Sequence, residues 1–188
     1  MKKSAERGAI TLEACVSVLS FLILMLFLSS LFVMFMAQNV TSHAILQTAQ
    51  SLSLDAHLIE SLIKQEDGKV ANLSDQVSDF VAKLFGSSEE NPYFVTDSRW
   101  YNGDSTLIAE AVETRFVGYL SGGDETKADE LLTNMNVVDG LDGIDFSQSY
   151  VQDNTLYIVL QYELEYDFNI WGLGTIDVEQ RSCAKLWK

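Results

Sequence analysis

Cations are scarce in this chain. Twelve lysines and arginines stand against 27 aspartates and glutamates, a net charge of −15 over 188 residues. Such a balance gives no electrostatic case for binding nucleic acid, which needs basic surface. Histidine occurs only at His43 and His57, too few for a histidine metal cluster. Cysteine occurs only at Cys15 and Cys183, so a disulfide framework does not hold the fold together. Proline occurs once, at Pro92. Gly-x-Ser-x-Gly, the phosphate loop and the dinucleotide fingerprint are all missing, and no spacing of carboxylates singles out a catalytic pair. These absences argue against an enzyme and leave no residue set for a cofactor.

Charge is also missing locally. No Asp, Glu, Lys or Arg lies between Ala14 and Leu54, and the stretch Ala14–Met36 is apolar apart from small serines such as Ser17, Ser20, Ser29 and Ser30. Those 23 residues, as a helix rising about 1.5 Å per residue, reach roughly 34 Å, enough for a hydrocarbon core of roughly 30 Å. Small hydroxyls are tolerated there because they bond to the backbone one turn back. A core helix of a soluble domain would carry a polar stripe. The stretch is therefore read as one membrane span.

The flanks set its direction. Lys2, Lys3 and Arg7 precede the span with Glu6 and Glu13, whereas the remainder holds nine cations and 25 carboxylates. Lysine and arginine beside a span hold that end in the cytoplasm, so the acidic remainder is expected outside. Cys15 and Cys183 then lie on opposite sides of the membrane.

The N-terminal run does not suit a secretory signal peptide. Its apolar stretch is too long, and Phe35-Met36-Ala37 puts bulk where a small residue is needed. Leu12-Glu13-Ala14-Cys15 superficially suggests a lipoprotein signal, but the apolar stretch follows the cysteine instead of preceding it. The sequence Arg7-Gly8-Ala9-Ile10-Thr11-Leu12-Glu13-Ala14 resembles the class III signal of type IV pilins and pseudopilins. Within that group it looks most like the TadE-like proteins of tight-adherence (Tad/Flp) pilus systems. Ala9 stands where major type IV pilins commonly have phenylalanine, which favours the TadE-like branch. The C-terminal stretch Val178–Trp187 is similar to a terminal strand with a basic residue and tryptophan in some members.

The resemblance implies several things. A prepilin peptidase would cut after Gly8, making Ala9 the new N-terminus and Glu13 the fifth residue. Glu13 would meet the N-terminal amine of a neighbouring subunit. The plain alternative sets Glu13 at headgroup level, where a carboxylate costs little; deeper in hydrocarbon it must be paired or neutral.

Beyond the span, Ile45, Ala49, Leu52, Ala56, Ile59 and Ile63 recur every four and three residues, one stripe of a continuing helix. One helix is thus expected from about Ile10 to Lys64, broken at Asp67-Gly68. A second stretch, Leu73–Phe85, suits a short helix. Residues 86–104 form an expected loop whose aromatics (Tyr93, Phe94, Trp100, Tyr101) read as a lid on the core. A helix is expected from Ser105, as its cap, to Gly122-Gly123, and another short one from Asp124 to Asn134.

The last third changes period. Leu156, Ile158, Leu160, Tyr162, Leu164 and Tyr166 alternate with Tyr157, Val159, Gln161, Glu163, Glu165 and Asp167, as in a strand with one buried face. A strand through Ile144, Phe146 and Tyr150 precedes it, with a turn at Asp153-Asn154, and a third runs from about Thr175 to Trp187. Asp139, Asp142 and Asp145 sit in a glycine-rich turn, where oxygen ligands could suit calcium; the spacing departs from the EF-hand, and a solvated turn is the simpler reading.

The expected protein is α+β: a basic leader (1–8), a transmembrane helix (9–40), and an extracytoplasmic domain (41–188) that starts on the continued helix and ends in an antiparallel β-meander. The resemblance implies a pilin-like architecture and a structural role as minor pilin or pseudopilin. Its partners would be the lipid bilayer, a prepilin peptidase and other pilin-like subunits. The competing reading is an uncut, signal-anchored surface protein whose acidic domain binds a partner or ligand.

Overall fold

The computed structural model describes residues 2–65, 100–102, 104–166 and 174–187, with side chains in the first segment from Leu12 to Glu60. Helix α1 runs unbroken over Lys2–Gln65. Gly8 is its only glycine and it holds no proline, so nothing interrupts the hydrogen-bond ladder. It starts eight residues before the expected Ile10, because the leader residues continue the helix. Ser20 folds back as anticipated, its Oγ donating to the Val16 carbonyl at 2.8 Å, whereas the Oγ of Ser30 is buried without a hydrogen-bond partner; farther along, Thr41 Oγ1 donates to the Ala37 carbonyl at 2.8 Å.

Helix α2, Ser105–Ser121, is capped by Asp104 and not by Ser105: the Asp104 carboxylate accepts from the Leu107 amide at 3.1 Å. Aspartate one position earlier reaches the third-residue N–H that a cap must satisfy. Gly122 ends the helix at φ 76°, a left-handed conformation that glycine adopts without a Cβ clash. Helix α3, Glu125–Asn134, is capped in the same way by Asp124.

Three strands form one antiparallel sheet in the order β1 (Tyr150–Gln152), β2 (Thr155–Glu165), β3 (Thr175–Lys185). Asp153 and Asn154, at φ 50° and 58°, make the two-residue turn that suits the strand twist. The register pairs Leu156 with Ala184, Leu160 with Gln180 and Leu164 with Ile176. Strand β1 is shorter than expected. Ile144 and Phe146 belong to a turning segment held to β2 by the isolated Asp145–Gln161 bridge and by Ser149 Oγ, which accepts from the Val159 amide at 3.1 Å, and Val137 bridges Leu164 farther along. The expected break at Asp67-Gly68, the helix at Leu73–Phe85 and the loop up to residue 99 lie outside the described residues. Trp100 and Tyr101, in a short 3₁₀ turn, are buried, as a lid requires.

The core lies between the outer half of α1, helix α2 and one face of the sheet. Ile45, Ala49, Leu52, Ala56 and Ile59 of the predicted stripe are all buried, against Val112 and Phe116 of α2 and Leu156, Ile158, Leu160 and Leu164 of β2. Phe116 meets Phe146 edge-on at 5.2 Å. Helix and sheet thus share a single core, which on α1 begins at Met34.

Candidate functional site

The residues singled out by the sequence lie along α1. Gly8 and Ala9 are in its helical backbone, and Glu13 is exposed one turn farther on. From Leu12 to Ser29 every side chain but the half-buried Ile23 is exposed. The helix is long and apolar enough to cross a membrane by length and composition. A soluble core helix would be covered by protein over the same residues, because leaving that much apolar surface in water is costly.

Protein packing begins at Ser30, 2 % exposed, and Met34, 6 % exposed. From there the helix is fastened to the domain by polar contacts as well as by its stripe. Thr41 Oγ1 lies 3.1 Å from the Tyr162 hydroxyl and 3.1 Å from Gln180 Oε1, and Gln180 Nε2 donates to the Gln38 carbonyl at 3.0 Å. Burial pushes the Tyr162 hydroxyl up from its ordinary value, and its hydrogen bond to Thr41 opposes that. Ser53 Oγ donates to the Lys185 carbonyl. His57 Nδ1 lies 3.3 Å from the Trp187 carbonyl, and Tyr101 donates to Glu60 at 2.9 Å.

The strongest of these joints escaped the sequence reading. Arg115 of α2, 1 % exposed, donates to Asp55, 3 % exposed, and to Ser51, all inside the α1–α2 contact. Two signals were available. Asp55 is the first charge after 41 uncharged residues, and it falls beside Leu52 and Ala56 on the apolar stripe. Arg115 falls among Ile108, Val112 and Phe116 on that of α2. A charge on an apolar stripe demands a buried partner, but only the packing of the two helices identifies it.

The aspartate-rich turn serves the fold. Asp145 accepts from the Ser147 amide at 2.7 Å and the Ser147 hydroxyl at 2.9 Å, and Asp129 accepts from the Leu141 amide at 2.9 Å. Asp139, Asp142 and Asp145 do not converge. Among the described residues, no three of His, Cys, Asp and Glu gather to hold a metal ion.

On the outer sheet face an open groove of about 390 Å³ is lined by Asp145, Gln161, Glu163, Asp177 and Glu179. Gln161 donates to Glu179 at 3.0 Å, and Arg181 donates to the same carboxylate at 2.6 Å. These two bonds, Gln161 first, hold the Glu179 carboxyl below its ordinary range. Near α3, Glu113 shows the opposite effect. Lost hydration, then the charges of Glu125, Glu110 and Asp142, push its carboxyl above the ordinary value. A carboxyl raised in the folded state favours the proton there, so its penalty is complete above the raised value and fades as the pH falls to the ordinary one. Glu113→Gln is expected to stabilise at pH 7 by less than about 1 kcal/mol, given the exposed setting, with the gain lost in acid. Denaturation midpoints at pH 7 and pH 4 check this; equal gains at both would contradict it.

Cys15 and Cys183 are free and exposed. Comparison with protein-family models, with curated proteins and with solved structures yields no match.

Proposed function

We propose that this chain is a membrane-anchored structural subunit of the TadE-like pseudopilin or minor-pilin type, acting in assembly and not in catalysis. The observation that carries the reading is one continuous helix with two differently surfaced halves. Its first half is apolar and uncovered, while its second half is the central pillar of an acidic α+β domain. Lys2, Lys3 and Arg7 at the start favour a cytoplasmic N-terminus, which sets the domain outside the cytoplasmic membrane.

The sequence around Gly8 supports processing. Cutting there removes Lys2, Lys3 and Arg7 together, leaving an inner end that leaves the bilayer more easily. The bare face of α1 then serves first as anchor in lipid and afterwards as packing surface among neighbouring pilin-like helices. A helix joined to its domain by Arg115, Thr41 and Ser53 passes a pull on the anchor directly into the domain, which suits an assembly part.

The test is the mature N-terminus, determined by mass spectrometry on protein from its native membrane. Ala9 is expected, and Gly8→Trp is expected to retain residues 1–8. Normal maturation of that variant would sink the reading. A chain still starting at Met1 or Lys2 would instead favour the uncut anchored protein.

A further inference from the structure

Two boundaries along α1 do not coincide. On its packed face, protein contact begins at Ser30. On the opposite face, Phe32, Phe35 and Met36 are 71 %, 67 % and 51 % exposed, and polar residues take over only at Asn39, Ser42 and His43, all exposed. From Ser30 to Met36 the helix therefore presents apolar side chains outward while its other side is already covered. At about 1.5 Å per residue this overlap is about 9 Å deep.

The sheet reaches the same level. Gln180 is bonded to Thr41, and Lys185 to Ser53. Five strand residues at about 3.3 Å thus match twelve helical residues at about 1.5 Å, with β3 running alongside α1 in the same direction. Five further residues back from Gln180, β3 starts at Thr175, which the same rise puts beside Ser30. Thr175, Ile176 and Asp177 are exposed.

Resting on the membrane reading above, we propose that the β2–β3 end of the domain is a lipid-contact surface, seated in the headgroup layer of the outer leaflet. Lipid is the occupant because the exposed apolar face at this level continues the span without a break. The headgroup layer is about 5–7 Å thick on each side, comparable with the overlap. Glu165 and Asp177, both exposed at this end, limit the depth, since a carboxylate in hydrocarbon is costly. They also select against anionic headgroups, so a zwitterionic lipid is the suitable partner.

The experiment uses the full chain with Cys15→Ser and Cys183→Ser, reconstituted in phosphatidylcholine vesicles. Single cysteines at Leu22, Thr175 and Gln152 carry nitroxide labels, and each label's accessibility to oxygen is compared with that to a water-soluble nickel chelate. Gln152 is exposed at the far end of the sheet. The expected oxygen-to-nickel ratio is highest at Leu22→Cys, lowest at Gln152→Cys, and several-fold above the latter at Thr175→Cys. A Thr175→Cys label matching Gln152→Cys while Leu22→Cys lies in lipid would overturn the seating and leave the anchor intact. A water-like label at Leu22→Cys would remove the anchor and the seating together.

Discussion

Replacing Arg115 with methionine is expected to destabilise the protein by about 3–5 kcal/mol, because Asp55 is then left buried without its cation. For a chain of this size that corresponds to a fall in Tm of roughly 6–20 °C. The side chains concerned are 2 % and 3 % exposed, so water cannot replace the lost partner without opening the α1–α2 contact. Ser51 suffers less, since a helical serine can turn to a carbonyl one turn back. The double variant Asp55→Leu/Arg115→Met is expected to recover most of the loss, because well-packed apolar side chains often match or exceed a buried ion pair. Thermal unfolding of the detergent-solubilised chain, followed by near-ultraviolet circular dichroism, separates these cases. A single variant costing no more than about 0.5 kcal/mol, the range of a surface substitution, would show that the pair does not join the helices. So would a double variant as unstable as the single one.

The second large effect is expected at Gly143. A Cβ there would lie 1.9 Å from the Val138 carbonyl oxygen. That oxygen belongs to a segment fastened to the sheet, since the Val138 amide donates to the Glu163 carbonyl at 2.9 Å. The carbonyl cannot withdraw without pulling the segment from the edge of β2. Gly143→Ala is therefore expected to cost about 3 kcal/mol or more, at the upper end of overpacking effects. Gly140 is the comparison. Its Cβ would meet the Asp129 carboxylate at 2.1 Å and the Thr133 hydroxyl at 2.8 Å, at φ +55°. Both obstacles are side chains that can swing aside, at the expense of the Asp129–Leu141 hydrogen bond. Gly140→Ala then costs about 1–2 kcal/mol for the left-handed conformation and about 1 kcal/mol for the bond, with part of the first relieved by relaxation. Urea midpoints of the two variants give the order. Gly143→Ala equal to or milder than Gly140→Ala would show that the turn is free to move.

The aspartate-rich turn illustrates how far local pattern carries. Its glycines and carboxylates were visible in the sequence, and a cation was one possible use. The glycines are instead required by close approach, to Val138 at Gly143 and to Asp129 at Gly140. Neither neighbour is implied by spacing along the chain, because α3 and β2 have to be placed first. Likewise, the strand expected through Ile144 and Phe146 alternates correctly, yet only Tyr150–Gln152 pairs as β1. Phe146 turns inward to Phe116, and that packing outweighs the strand geometry.

By itself the sequence determined the long helix with its uncharged stretch, its buried stripe from Ile45 to Ile59, the extents of helices α2 and α3, and the antiparallel pairing of β1 with β2. Each follows from short-range chemistry: periodicity, a cap within three residues, or a two-residue turn at Asp153-Asn154. Tertiary structure alone decided that Arg115 belongs to Asp55 and that Thr41 meets Tyr162 and Gln180. Those partners lie from 60 to 139 residues apart in the chain. Their meeting depends on how helices and sheet share one core, a three-dimensional constraint that no periodicity along one element contains.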